Sequence, residues 1–441
     1  MGSIRFIHTA DVHLGRIPQI GGASLPDQLR EQVHGATFAS FSRLCDLALA
    51  EGVDFVVIAG DLYDGEARTV SALEFFVRQC ERLYEAGIGV YVLAGNHDPL
   101  REREALFRLP PNVFTFPSSK PEVFEVKDDQ GAPIARVVGQ SYERSAERRR
   151  LHQDYPSLPS DLWNIGVLHT QLEGEPSTYL PCSVSELREK SGYHYWALGH
   201  IHQPGILHNA RPHIAYPGTP QGKHVNELER GGCLLVELND QGEDVITHVP
   251  LAPIVYKRVT LKIDEDPVSI PETLPELEER MAAAAQELLS EGGDDAYPIL
   301  GYIVQWNIEG RGTIHTLLAE QQDEAHDSLL AGLRGRFADD KPFVWTERIM
   351  FRTKPELDLD ELLKGSPVVE ELDRVVQRCQ TEEELQKQLK RELGQIWSGH
   401  GDEEGYQDKD DFVFYLDDET LQDLLADARQ LILEKLAEGR E

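Results

Sequence analysis

A two-layer α/β core, a smaller α/β module and an acidic helical tail are what these 441 residues predict. Short apolar runs alternate with amphipathic stretches as far as residue 252, the pattern of sheets flanked by helices. Five of those runs end beside residues able to hold a metal ion, which would set five strand ends around one crevice. Near Pro250 and Pro253 the pattern restarts on a smaller scale, and from Lys354 it turns helical and acidic. The chain divides accordingly into 1–252, 253–352 and 353–441.

In the first segment, residues 4–7 read as a strand leading to Asp11. Residues 28–49 carry Val33, Phe38, Phe41, Leu44, Leu47 and Leu49 on one broad apolar face and predict a single helix. Residues 55–58 lead to Asp61, 71–86 form the next helix, and 90–93 lead to Asn96. Strands are expected at 123–126 and 134–139. Then 165–168 lead to His169 and 195–198 lead to His200, with further strands at 214–216, 232–238 and 245–249. The second segment reads strand 255–263, acidic helix 271–289, strand 299–308, helix 314–336 and strand 343–351. In the tail, helices are expected at 355–363, 368–380 and 382–397, the first opening on a proline at a tolerated position. A loop rich in glycine and acid spans 399–411. The last helix, 420–437, carries Leu421, Leu424, Leu425, Ala428, Leu431, Ile432, Leu433 and Leu436 at helical spacing.

On extended backbone residues i and i+2 share a face, so Asp11 with His13, and His200 with His202, each present two ligands to one side. Gly60, Gly95 and Gly199 precede proposed ligands, where a side chain would obstruct close backbone approach. The set Asp11, His13, Asp61, Asn96, His169, His200 and His202 is too large for one ion. It suits two divalent cations sharing one carboxylate, with Asp61, the central acid, as the bridge. Carboxylate, amide and imidazole ligands without thiolate favour Mn, Fe or Zn, with Mn the first expectation. Two such ions about 3.5–4 Å apart clamp the attacking and leaving oxygens of an in-line displacement. The chemistry predicted is phosphoester hydrolysis.

The order D-x-H at Asp11 and His13, G-D-x-x-D from Gly60 to Asp64, G-N-H-D from Gly95 to Asp98, His169, and G-H-x-H from Gly199 to His202 resembles the calcineurin-like metallophosphoesterases. The stretches HTADVHLG, AGDLYD, LAGNHD, LGHIH and YPGTPQGKHVNE narrow this: residues 1–252 resemble the SbcD-type DNA repair nuclease subunits, most closely the YhaO-like branch. The resemblance implies a two-layer β-sandwich metallophosphoesterase core flanked by helices. It implies Asp11, His13, Asp61 and His202 on the first ion, and Asp61, Asn96, His169 and His200 on the second. His97 would be the non-ligand histidine that protonates the leaving oxygen, with Asp98 orienting its ring. Some relatives carry a second active-site histidine three residues after the bridging acid. This chain has Asp64 there, so that role does not carry over. The resemblance further implies DNA as substrate and a capping domain that positions it. It also implies an SMC-like ATPase of SbcC or YhaN type docked by the C-terminal helices, and a homodimer through helices of the catalytic domain. For the dimer, Phe75 beside Phe76 offers spare apolar surface.

The net charge of −34 opposes phosphate contact, yet residues 1–250 carry only −11 of it and residues 251–441 carry −23. Positive clusters stand at Arg101 and Arg103, and at Arg144, Arg148, Arg149 and Arg150. The second cluster reads either as a solvated helix end or as a phosphate-contacting ridge. Lys223 and Arg230 are further candidates for phosphate. The stretch GTPQGKH lacks the spacing of a nucleotide phosphate loop and continues with His224, so any ATP dependence must come from a partner. Five widely spaced cysteines with no C-x-x-C read as reduced thiols of a cytoplasmic protein. No apolar run approaches the ~18 residues of a membrane span. The start of the chain leaves no room for a cleaved signal, whose removal would take Asp11 with it. Two other readings compete. One is a phosphodiesterase or phosphatase acting on a non-DNA substrate, although Asp64 is followed by Gly65 and Glu66 where protein phosphatases place a phosphate-gripping arginine. The other is a scaffold subunit with dead chemistry, opposed by the intact ligand set.

Overall fold

The computed structural model describes residues 2–20, 25–65, 69–100, 108–172, 182–228, 230–266, 269–291, 296–356, 367–382, 384–386, 389 and 418–438. Its first compact unit is Met1–Pro355 and its second is Glu356–Glu441. Along the chain run β1 (Ile4–Thr9), α1 (Asp27–His34), α2 (Ala36–Glu51), β2 (Phe55–Ala59), α3 (Val70–Glu85), β3 (Gly89–Leu93) and β4 (Val113–Thr115). Next come β5 (Glu122–Lys127), β6 (Pro133–Gly139), β7 (Trp163–His169), α4 (Val184–Glu189), β8 (Tyr195–Gly199), β9 (Gly205–His208) and β10 (His213–Tyr216). The core ends with β11 (Gly232–Leu238) and β12 (Val245–Pro250). A third group is β13 (Ile254–Lys262), α5 (Leu274–Glu291), β14 (Gly301–Arg311), α6 (Ile314–Glu320), α7 (Gln322–Phe337) and β15 (Phe343–Lys354).

Two six-stranded sheets form the core, ordered β12-β11-β1-β2-β3-β4 and β5-β6-β7-β8-β10-β9. The central strands β1 to β4 run parallel, as do β6, β7, β8 and β10. Strands β2, β7 and β8 are buried along their whole length, which is why they read as unbroken apolar runs. Between the sheets, Phe6, Phe55, Val57 and Leu93 meet Val137, Trp163, Ile165 and Tyr195. Phe6 and Phe55 stack with ring centroids 4.8 Å apart. His8 is buried there as a tie between layers, bonded to the Tyr195 hydroxyl and the Leu198 carbonyl at 3.0 Å each. Burial holds its imidazole down at about 3, so it stays neutral.

The helix expected over residues 28–49 is two helices that meet at Gly35. Packing explains the break. Phe41, Leu44 and Leu47 of α2 cover the first sheet. Leu29 and Val33 of α1 instead meet Ile254, Tyr256, Ile303, Phe343 and Trp345 of the third sheet. That sheet is all parallel, β13-β14-β15, and its other face holds Leu277, Met281, Trp306, Ile308, Leu329 and Leu333. The helix expected over 314–336 likewise divides, at Gln321, whose backbone leaves the helical region. Residue Phe75 is half-buried, with its ring edge-on to Phe38 at 5.0 Å. The apolar surface expected to be spare for a dimer therefore has a partner within the chain. Strands β4 and β9, helix α4 and a 3₁₀ turn at Leu151–Asp154 escaped the sequence reading, being too short to show a period.

In the second unit, helices Pro367–Thr381 and Asp418–Glu438 pack on each other and bury Val369, Cys379, Leu421 and Leu433. Arg429 Nε donates to Asp373 Oδ1 at 2.7 Å. Val368, Val375, Leu431 and Ile432 are exposed. The helix expected at 355–363, most of that at 382–397, and the loop at 399–411 lie outside the described residues. Among the described residues, no helix is long and apolar enough to cross a membrane.

Candidate metal centre

The loops after β1 and β2 continue their strands' pairing past the sheet edge. Asp11 N donates to the Gly60 carbonyl and His13 N to the Asp61 carbonyl, each at 3.0 Å. This zippering holds the backbone in an unusual shape. Asp11, His13, Asp61 and His200 have φ of 51°, 45°, 50° and 98°, and are the non-glycine residues with positive φ among those described. Such conformations cost about 1–3 kcal/mol each and persist only where the surroundings dictate them. The flanking glycines leave no slack. A Cβ on Gly95 would stand 2.2 Å from Asp61 Oδ1, and one on Gly60 would stand 2.1 Å from His169 Nδ1.

All seven proposed ligands come together. His169 Nε2 and His13 Nε2 approach the same Asp61 oxygen, Oδ2, at 3.5 and 4.0 Å. On one side, His202 Nε2 is 3.8 Å from Asp11 Oδ1. On the other, Asn96 Oδ1 is 2.7 Å from His169 Nε2 and 3.2 Å from His200 Nδ1. Three groups at the centre are able to hold a cation: Asp11 with His13 and His202, Asp11 with Asp61 and His169, and His13 with Asp64 and His97. Asp11 Oδ1 and His13 Nδ1 are buried without a hydrogen-bond partner. Orphaned hard and borderline donors in this number fit divalent cations.

Neighbouring groups fix the ligands. The Ala59 carbonyl, 3.0 Å away, accepts a hydrogen bond from His169 Nδ1 and so turns Nε2 to the centre. Glu227 Oε1 does the same for His202 Nδ1 at 2.6 Å. Burial alone would raise the Asp61 carboxyl, but the His169 and His13 imidazoles around it carry it well below the carboxylate range. Burial likewise lowers His169, and the carboxylates of Asp61 and Asp11 overcome this, raising it to about 9.

His97 stands at the rim, its side chain 38% exposed. Its Nδ1 faces Asp64 Oδ1 at 3.5 Å, and that contact raises its pKa. Asp64 is held in turn by Arg16 Nη1 at 2.5 Å. This corrects the expectation that Asp98 orients the His97 ring. Asp98 accepts from Gly95 N at 2.8 Å and Tyr63 N at 3.4 Å, and so shapes the loop rather than the ring. Lys223 reaches the centre, with Nζ 3.1 Å from His13 Nε2. The arginines fare differently. Arg149 is bound to Glu147 and Arg150 to Glu186, while Arg144 and Arg148 are exposed. Arg101 and Arg103 lie outside the described residues. Sequence reasoning missed Arg16 and Glu227 as supports. Glu227 closes the stretch YPGTPQGKHVNE, where a carboxylate four residues after Lys223 was the available signal.

A model of the calcineurin-like phosphoesterases matches residues 4–204. The chain is 32% identical over 361 residues to a Bacillus subtilis (strain 168) protein described as the uncharacterized metallophosphoesterase YhaO, across 81% of this chain and 84% of that one. It is 31% identical over 250 residues to the DNA double-strand break repair protein Mre11 of Aeropyrum pernix, across 53% and 58%. It is 28% identical over 264 residues to Mre11 of Methanopyrus kandleri, across 54% and 55%. The two Mre11 matches thus take in little more than half of either chain.

Proposed function

The chain belongs to the calcineurin-like phosphoesterases, and on that premise we propose that it hydrolyses DNA phosphodiesters with two divalent ions, in DNA repair and beside an SMC-like ATPase. The observation that carries the two-ion reading is Asp61 Oδ2, approached by His13 and by His169. The choice of DNA over other diesters rests on the relatives named for double-strand break repair.

Asp11, His13, Asp61 and His202 would hold one ion, and Asp61, Asn96, His169 and His200 the other, with Mn the first candidate. When bound, the ions supply an activated water and positive charge against the phosphoryl oxygens. The remaining work falls to side chains. Glu227 and the Ala59 carbonyl fix the tautomers of His202 and His169. His97 keeps Nδ1 toward Asp64, which frees Nε2 to give its proton to the leaving oxygen. The Lys223 ammonium, beside His13, offers a charged donor to a non-bridging phosphate oxygen.

The test is full-length protein with Mn²⁺, given DNA, a chromogenic phosphodiester and a chromogenic monoester in parallel. DNA and the diester are expected to be cleaved, the monoester not, and chelator should stop both reactions. Faster cleavage of the monoester would make the protein a phosphatase. No cleavage of any substrate with two ions bound would make it a scaffold.

A further inference from the structure

A second cluster lies apart from this centre, on the outer face of the β5–β10 sheet. His152 sits on the 3₁₀ turn Leu151–Asp154, and Cys182 directly precedes Ser183, the N-cap of α4. Around them pack Leu151, Leu187 and Trp196. One ligand atom each from His152, Cys182 and Glu186 lies within 4.8 Å of the others. The His152 side chain is 4% exposed, and neither of its ring nitrogens has a hydrogen-bond partner. A buried imidazole with both nitrogens unanswered is rare, because each forfeits its solvation for nothing. Its Nε2 is 3.6 Å from Glu186 Oε2, too long for a hydrogen bond. It is, however, close to the ~3.3–3.8 Å between neighbouring ligand atoms of a tetrahedral ion with bonds of ~2.0–2.3 Å.

We infer that His152, Cys182 and Glu186 form a third cation site, for a zinc-class divalent ion, separate from the phosphoesterase pair. Sulfur, nitrogen and oxygen from three residues leave a fourth tetrahedral position for water. The thiolate makes the site soft, so it prefers zinc where the thiolate-free centre accepts manganese. Glu186 Oε2 also accepts from Ser183 N at 3.1 Å and from Ser183 Oγ at 3.2 Å; turning that hydroxyl to Ser185 Oγ, 3.0 Å away, frees a lone pair for the ion. Arg150 holds the other oxygen and fixes the carboxylate's orientation. On binding, the Cys182 S–H bond breaks, its proton leaves to solvent and the sulfur pair bonds the ion. Because binding releases that proton, it strengthens as pH rises. The ion clasps the 3₁₀ turn to the start of α4.

Cobalt reads the site directly, since only a cysteine-bound Co²⁺ gives a thiolate-to-metal band in the near ultraviolet. Metal-stripped full-length protein is titrated with Co²⁺, with bound metal counted by native mass spectrometry. Wild type should bind three ions per chain and develop the band. Cys182→Ser should bind two and show none. His152→Gln should weaken band formation by at least about tenfold. Cys379→Ser should keep it. Cooperative melting certifies each variant as folded, and if Cys182→Ser fails that check the His152→Gln titration decides. Absence of the band in wild type at saturating Co²⁺, or its survival in Cys182→Ser, overturns the site.

Discussion

Asp61 faces both halves of the centre, so replacing it removes a contact from each. Asp61→Asn is expected to abolish hydrolysis of every substrate and to lower bound metal; retention of two ions with near-wild-type turnover would contradict the shared bridge. His97 should behave differently. His97→Ala is expected to leave metal stoichiometry intact while lowering kcat by about 10²–10⁴. Asp64→Asn, one contact further out, should lower kcat by about 10–100-fold with metal retained. A larger loss from Asp98→Asn, measured alongside, would return the pairing to Asp98. The clustering of the proposed ligands was legible because each follows an apolar run and sits in a spaced motif. The partner of His97 was not. Both Asp64 and Asp98 were in view in the sequence, and only the fold of the β2 loop brings Asp64 to the ring.

Between elements, the two sheets are clasped at one edge by Asp244, which directly precedes β12. Its carboxylate accepts from Arg211 Nε at 2.7 Å and contacts His213 Nε2 at 2.9 Å, the first just before β10 of the opposite sheet and the second at its start. Burial alone would raise this carboxyl, and those contacts overcome it and carry it down to about 2. A depressed carboxylate stabilises the fold fully above its unfolded value of about 3.9 and less as pH falls toward 2. Asp244→Asn should therefore cost about 1.5–3 kcal/mol at neutral pH, the range for charged hydrogen bonds. Urea midpoints of wild type and variant should lie apart at pH 7, draw closer below pH 4 and converge only as pH falls through about 2; a gap that stays constant would rule out the ion cluster as its source. Strands were the most legible elements, since burial on both faces writes them as apolar runs. The helix breaks at Gly35 and Gln321 were not, because each marks a change of packing partner that local periodicity does not record.

At the scale of the whole molecule, chemistry and tail separate along the chain. No proposed ligand lies beyond His202, and β15 continues to Lys354, pairing Arg352, Thr353 and Lys354 with β14. A chain stopped after Pro355 keeps that strand whole. It is expected to fold and to retain metal-dependent hydrolysis of a small diester. The exposed Val368, Val375, Leu431 and Ile432 go with the tail, as does much of the acid, and together they suit a basic partner with an apolar stripe. Pull-down of an SMC-like ATPase should therefore succeed with the full chain and fail with the truncated one. Equal capture by both would place docking elsewhere.

The left-handed backbone at Asp11, His13, Asp61 and His200 also shapes how the protein tolerates change. Glycine is at ease in that conformation and each native residue is not, so a glycine there relieves the backbone while deleting a proposed ligand. Abundance and catalytic output, scored separately across all substitutions, should part company at these four positions, with glycine the best-expressed of the inactive replacements. At Phe6 or Phe55, where a side chain only fills the core, the two scores should fall together.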